Sequence, residues 1–151
     1  MKTILFIFLC GILCGCYTNK ITVIDSQTLE PVPDALVLTD KQYKIINFIR
    51  AYKTNEHGMV YLDYNPTYIF AGKQGYWLGT GKYPNIVFLT PEGMDPSKYT
   101  QDKDFPSLYV PHEYLSKDDP LYGEWKAYSD HQQKMRAEFL RDKKPIQNSI
   151  K

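Results

Sequence analysis

The sequence predicts a mainly β protein: an antiparallel β-sandwich, an irregular loop and one C-terminal amphipathic α-helix. Three observations predict it. Short β-branched and aromatic runs recur at roughly ten-residue intervals between residues 21 and 90, the spacing of strands in a sandwich. Clusters of Pro, Gly, Asn and Asp separate those runs and supply turns. Beyond Asp119-Pro120 the apolar spacing becomes that of a helix.

The first strand is residues 21–25, ITVID, β-branched and stopped by Asp25-Ser26. Residues 28–35 cannot be regular, because Pro31 and Pro33 remove two amide donors and force extended backbone before them. Residues 35–39 are the second strand and 45–51 the third. Thr54-Asn55-Glu56-His57-Gly58 is turn chemistry, with Gly58 free to take a positive φ. The fourth strand starts at Met59, and alternation puts Met59, Tyr61 and Asp63 on one face, Val60, Leu62 and Tyr64 on the other. Asn65-Pro66 turns the chain into a fifth strand, 67–73, closed by Gly75-Tyr76-Trp77. Gly79-Thr80-Gly81-Lys82 lacks the spacing of a phosphate loop and reads as a hairpin before the last strand, 86–90, which Pro91 ends.

Three spaced blocks, VIDSQTLEPVPDALVL, TNEHGMVYL and YIFAGKQGYW, resemble the carboxypeptidase regulatory-like domain, a β-sandwich of the transthyretin type. Val23, Asp25, Thr28, Pro31, Val32 and Ala35 match its first block, Thr54 and Gly58 its second, Gly75 and Tyr76 its third. Asn55 stands where Asp is commoner, and Asp34 where Gly is usual. The resemblance covers residues 21–91. It implies a tight reversal at 28–33 with Val32 plugging the core, and a Tyr76 ring at the core edge with its hydroxyl toward water. The domain is an accessory of some peptidases and implies no peptidase activity.

Residues 92–118 read as an irregular connection rich in Pro, Asp, Ser and Lys. Asp119 is a helix cap, Pro120 suits the first turn, and the helix runs over 119–144 to Lys144-Pro145, leaving 145–151 as a tail. Leu121, Trp125, Tyr128, Met135 and Phe139 share one face with Gln132 in the gap, while Glu124, Asp130, Lys134, Arg136, Glu138 and Arg141 take the other.

The N-terminus holds all three cysteines, Cys10, Cys14 and Cys16. Lys2 followed by an uncharged apolar run, 4–13, is the pattern of a secretory signal peptide and is too short to span a bilayer. Leu13-Cys14-Gly15-Cys16 resembles the bacterial lipobox. Cys10 and Cys14 each follow Leu, whereas Cys16 follows the small Gly15, so the resemblance selects Cys16. It implies a signal peptide over 1–15, acylation of Cys16, and a spacer to residue 20. Two or three acyl chains hold a protein stably on a bilayer. Tyr17 stands where Asp would favour inner-membrane retention, so the outer membrane is the expected location in a host with two membranes.

Lys and Arg number 18 against 17 Asp and Glu, and no basic cluster argues for nucleic acid. His57, His112 and His131 stand far apart, outside any zinc-ligand spacing. Asp102/Asp104 and Asp118/Asp119 lack the compact glycine-bent loop of a calcium site. Transthyretin-like folds include hydroxyisourate hydrolases, which end in Tyr-Arg-Gly-Ser and use paired His and Arg; that ending is absent and Arg occurs only at 50, 136 and 141. The expectation is therefore a lipid-anchored, non-catalytic interaction or structural module of the cell envelope, with no metal or cofactor. Its partners are the bilayer, through acylated Cys16, and an envelope protein. Candidate contacts are Tyr76, Trp77 and Tyr83 at one sandwich end, able to stack on a glycan or grip a peptide, and Trp125 and Tyr128 on the helix. For both groups core packing is the competing role. An accessory lipoprotein of a secretion-system membrane complex is a further expectation.

Overall fold

The computed structural model describes residues 19–43, 46–81, 85–96 and 115–142. Strand β1 (Asn19–Asp25) buries Ile21, Val23 and Asp25 and turns Lys20, Thr22 and Ile24 outward, the two-residue period of a strand with one face in the core. The other described strands are β2 (Leu36–Tyr43), β3 (Ile46–Lys53), β4 (Met59–Leu62), β5 (Ile69–Gly72), β6 (Gly79–Gly81) and β7 (Ile86–Leu89). They form two sheets, ordered β4-β1-β7 and β3-β2-β5-β6. The described residues form a β-sandwich carrying one helix, α1 (Tyr122–Asp142).

Inward residues of both sheets make the first core: Ile21, Val23, Val60, Leu62, Val87 and Leu89 from one, Val37, Ile69 and Ala71 from the other, with Val32 and Ala35 from the reversal. Val32 does plug the core. The second core lies on the far side of the four-stranded sheet, where Leu36, Leu38 and Leu78 meet Leu115, Trp125 and Tyr128. Strand β2 is thus buried on both faces from Leu36 to Thr39, which is why it reads as a continuous apolar run. Three layers result: three-stranded sheet, four-stranded sheet, helix.

Several elements differ from expectation for identifiable reasons. The sandwich is not wholly antiparallel: β1 and β7 pair in parallel, Val23 opposite Val87. A parallel neighbour needs a long crossover, and here all of the second sheet lies between the two strands in sequence. Strand β5 starts at Ile69, not at residue 67, because Asp40 Oδ1 accepts the Thr67 and Tyr68 N–H groups at 2.8 and 2.7 Å. Strand β3 extends to Lys53 because all eight β2 residues find partners on it. Gly79–Gly81 is a strand against β5, not a hairpin. A Cβ on Gly79 would lie 2.4 Å from the Phe88 carbonyl oxygen, so glycine is what lets β6 approach the facing sheet.

Helix α1 begins three residues after its expected start. Asp119 still caps it, Oδ1 accepting the Leu121 N–H at 2.8 Å. Its buried residues are Trp125, Tyr128, Ser129 and Gln132, with Leu121, Met135 and Phe139 half-buried. From the 92–118 connection, residues 97–114 lie outside the described residues, but Leu115 is buried and bridges to Ile49 at the edge of the four-stranded sheet.

Candidate functional site

Residues of the three sequence blocks converge on one another. Asp25 Oδ1 accepts the Gln27 and Thr28 N–H groups at 2.7 and 3.0 Å, and Oδ2 accepts the Tyr76 hydroxyl at 3.0 Å. Burial pushes the Asp25 carboxyl up, but the two amides and the Tyr76 hydroxyl outweigh it and hold the group below the usual carboxylate value. Tyr76 is raised in turn by burial and by Asp25. The Tyr76 hydroxyl is therefore tied to a buried carboxylate rather than turned to water. Thr54 Oγ1 accepts the Ala35 N–H and donates to the Val32 carbonyl, both at 2.8 Å, closing the proline-containing reversal. Gly58 sits at φ 67°, its carbonyl accepting the Val23 N–H at 2.8 Å. These motif residues hold the sandwich together.

The aromatic candidates gather along the seam between α1 and the link from β5 to β6. The Tyr128 hydroxyl and Gln132 Nε2 both donate to the Tyr76 carbonyl, at 3.2 and 2.9 Å, while Gln132 Oε1 accepts the Leu78 N–H at 3.2 Å. Gln132 thus serves as a surrogate strand edge, satisfying backbone that β6 leaves open. Glu92 adds a clamp, its Oε1 meeting His131 Nε2 at 2.8 Å and accepting the Gly75 N–H at 3.2 Å. Trp77 packs edge-on to Phe139 at 5.6 Å between centroids, and Trp125 against Tyr128 at 5.5 Å. Burial raises the Tyr128 hydroxyl well above its ordinary value, with the Glu92 charge adding to it.

This seam joins the helix to its own sandwich. Trp77 is 7% exposed, Trp125 1% and Tyr128 5%, so their rings are spent on internal packing. Tyr76 is half-buried. Tyr83 and Cys16 lie outside the described residues. A Cβ on Gly72 would stand 2.1 Å from the Tyr128 ring; the ring lies directly on the glycine of β5.

Among the described residues, three exposed large apolar side chains share the outward face of the three-stranded sheet, while Leu29, Tyr68 and Leu140 are exposed singly elsewhere. Tyr61 is 55% exposed, Ile86 50% and Phe88 38%. The register sets Lys20 opposite Tyr61, Thr22 between Met59 and Ile86, and Ile24 beside Phe88. Sequence reasoning placed Met59 and Tyr61 on one face but named neither as a candidate; the alternation at Ile86 and Phe88 held the rest of the signal. No helix covers this sheet among the described residues, where α1 packs on the other one. Its composition suits contact with an apolar or amphipathic surface. Among the described residues no group of three or more His, Cys, Asp or Glu side chains could hold a metal ion, and no helix is long and apolar enough to cross a membrane. No protein-family model and no curated protein matches the chain.

Proposed function

We propose that this chain is a lipid-anchored protein of the bacterial cell envelope, held by acylated Cys16, and that it serves as a non-catalytic interaction or structural module. Leu13-Cys14-Gly15-Cys16 behind an apolar run carries the reading. The architecture supports it: the rings of Trp77, Trp125 and Tyr128 and the hydrogen-bonding capacity of Asp25, Thr54, Tyr76 and Gln132 are engaged in holding sheets and helix together. The molecule is therefore a rigid platform whose contacts are made by outward faces. A stacking role for Trp77 on a glycan has less support, since the indole is packed against Phe139.

Two measurements in the native host test the reading. Labelled palmitate should enter the wild-type protein and Cys10→Ala but not Cys16→Ala; label persisting in Cys16→Ala would sink the anchor. A photo-crosslinking residue at Ala127 or Gln133, both exposed on α1, should trap a discrete envelope protein in living cells. Absence of any crosslink from these and from other outward positions would count against an interaction module.

A further inference from the structure

We infer that the outward face of the three-stranded sheet lies on the bilayer surface, with Tyr61, Met59, Ile86 and Phe88 at the boundary between headgroups and acyl chains. This rests on the lipid-anchor reading and adds to it an orientation and a contact surface. Covalent reach places the sheet near the lipid. Cys16 is three residues from Asn19, where β1 begins, and three residues extend at most roughly 10 Å. An anchor at Cys16 therefore keeps the Asn19 end of β1 within that distance of the lipid. Strand β1 is the middle strand of its sheet, so its neighbours Tyr61 on one side and Ile86 on the other are brought to the bilayer with it. A tether this short holds the face at high effective concentration against the membrane.

Composition selects the face. The outward positions on β4, β1 and β7 are Met59, Tyr61, Lys20, Thr22, Ile24, Ile86 and Phe88. No acid is among these strand positions, and their one charge is a cation placed at the anchored end, opposite Tyr61; the exposed Asp63 lies just past the end of β4, at the rim of the face. Aromatic and aliphatic side chains beside a lysine are the composition of an interfacial surface: the rings sit at headgroup level and the ammonium reaches phosphate. The two faces of the molecule differ accordingly. The helix side carries Glu124, Lys126, Asp130, Lys134 and Glu138 and would face away from the lipid.

The test uses the mature acylated protein in vesicles of phosphatidylethanolamine and phosphatidylglycerol with brominated acyl chains. Single fluorophores are attached through Tyr61→Cys, Ile86→Cys and, as the control on the helix side, Ala127→Cys. All three positions are exposed, so the substitutions leave the cores intact, and retention of the far-ultraviolet dichroism checks each variant. Labels at 61 and 86 should be quenched severalfold more than the label at 127. Equal quenching at all three positions, in protein that floats with the vesicles, overturns the orientation while the anchor stands. Mutual quenching of the 61 and 86 labels between copies, without quenching by brominated lipid, would make the face a self-association surface and overturns it too. Failure of the wild-type protein to float removes the anchor and the orientation with it.

Discussion

Asp25 ties two amides of the first reversal and the Tyr76 hydroxyl to one buried carboxylate. Its folded-state pKa is lowered, so the stability it adds is present above the unfolded-state value, about 3.9, and is lost as pH falls through the folded value. Asp25→Asn should cost about 1.5–3 kcal/mol at neutral pH, the range for hydrogen bonds to a charged group. It should also flatten the loss of stability below about pH 4. Urea midpoints at neutral and acid pH check both, and a variant as acid-sensitive as the wild type would contradict the assignment. Thr54→Val strands the Ala35 N–H and the Val32 carbonyl together; about 2 kcal/mol of destabilisation is expected in the same measurement. Both residues stood in the sequence blocks and their importance was legible. Their partners were not: Tyr76 follows Asp25 by 51 positions, and nothing local in the chain says which hydroxyl reaches the second carboxylate oxygen.

At the scale of elements, the docking of α1 depends on a glycine in a strand. Gly72→Ala would drive a methyl group into the Tyr128 ring, and overpacking of this kind costs about 1–3 kcal/mol. In the Tyr128→Ala background the same substitution should cost much less, giving a coupling energy that a double-mutant cycle reads from chemical denaturation. Additive effects would mean that the helix does not lie on β5 as described. Trp125→Ala, at the centre of the second core, should cost about 3–5 kcal/mol. Helix and cap were legible because Asp119-Pro120 and a 3.6-residue apolar spacing are local signals. Strand β6 was not, because its Gly-Thr-Gly sequence has no strand character and is recruited by its register with β5. The parallel pairing of β1 with β7 was likewise invisible, since strand direction is set by how the long intervening chain returns.

At the scale of the molecule, the described residues form a three-layer stack with the polar helix on one side and an apolar sheet face on the other. Removing residues 119–151 would uncover Leu36, Leu38, Leu78 and Phe70 on the four-stranded sheet; the truncated chain should aggregate, which sedimentation would detect, and a soluble monomer would contradict the layering. The mainly β fold with one terminal helix was readable from turn spacing and periodicity. The aromatics singled out at Trp77, Trp125 and Tyr128 are buried packing groups, because sequence marks a large ring without saying which side of a sheet the helix will cover. The outward face that remains gains its meaning from the proposed anchor at Cys16, three residues before β1. The most direct measurement is mass spectrometry of the tryptic N-terminal peptide from the mature protein in its native envelope. The account predicts a peptide that begins at Cys16, ends at Lys20 and carries a diacylglyceryl thioether. A mature chain that begins elsewhere, or a Cys16 free of lipid, would contradict it.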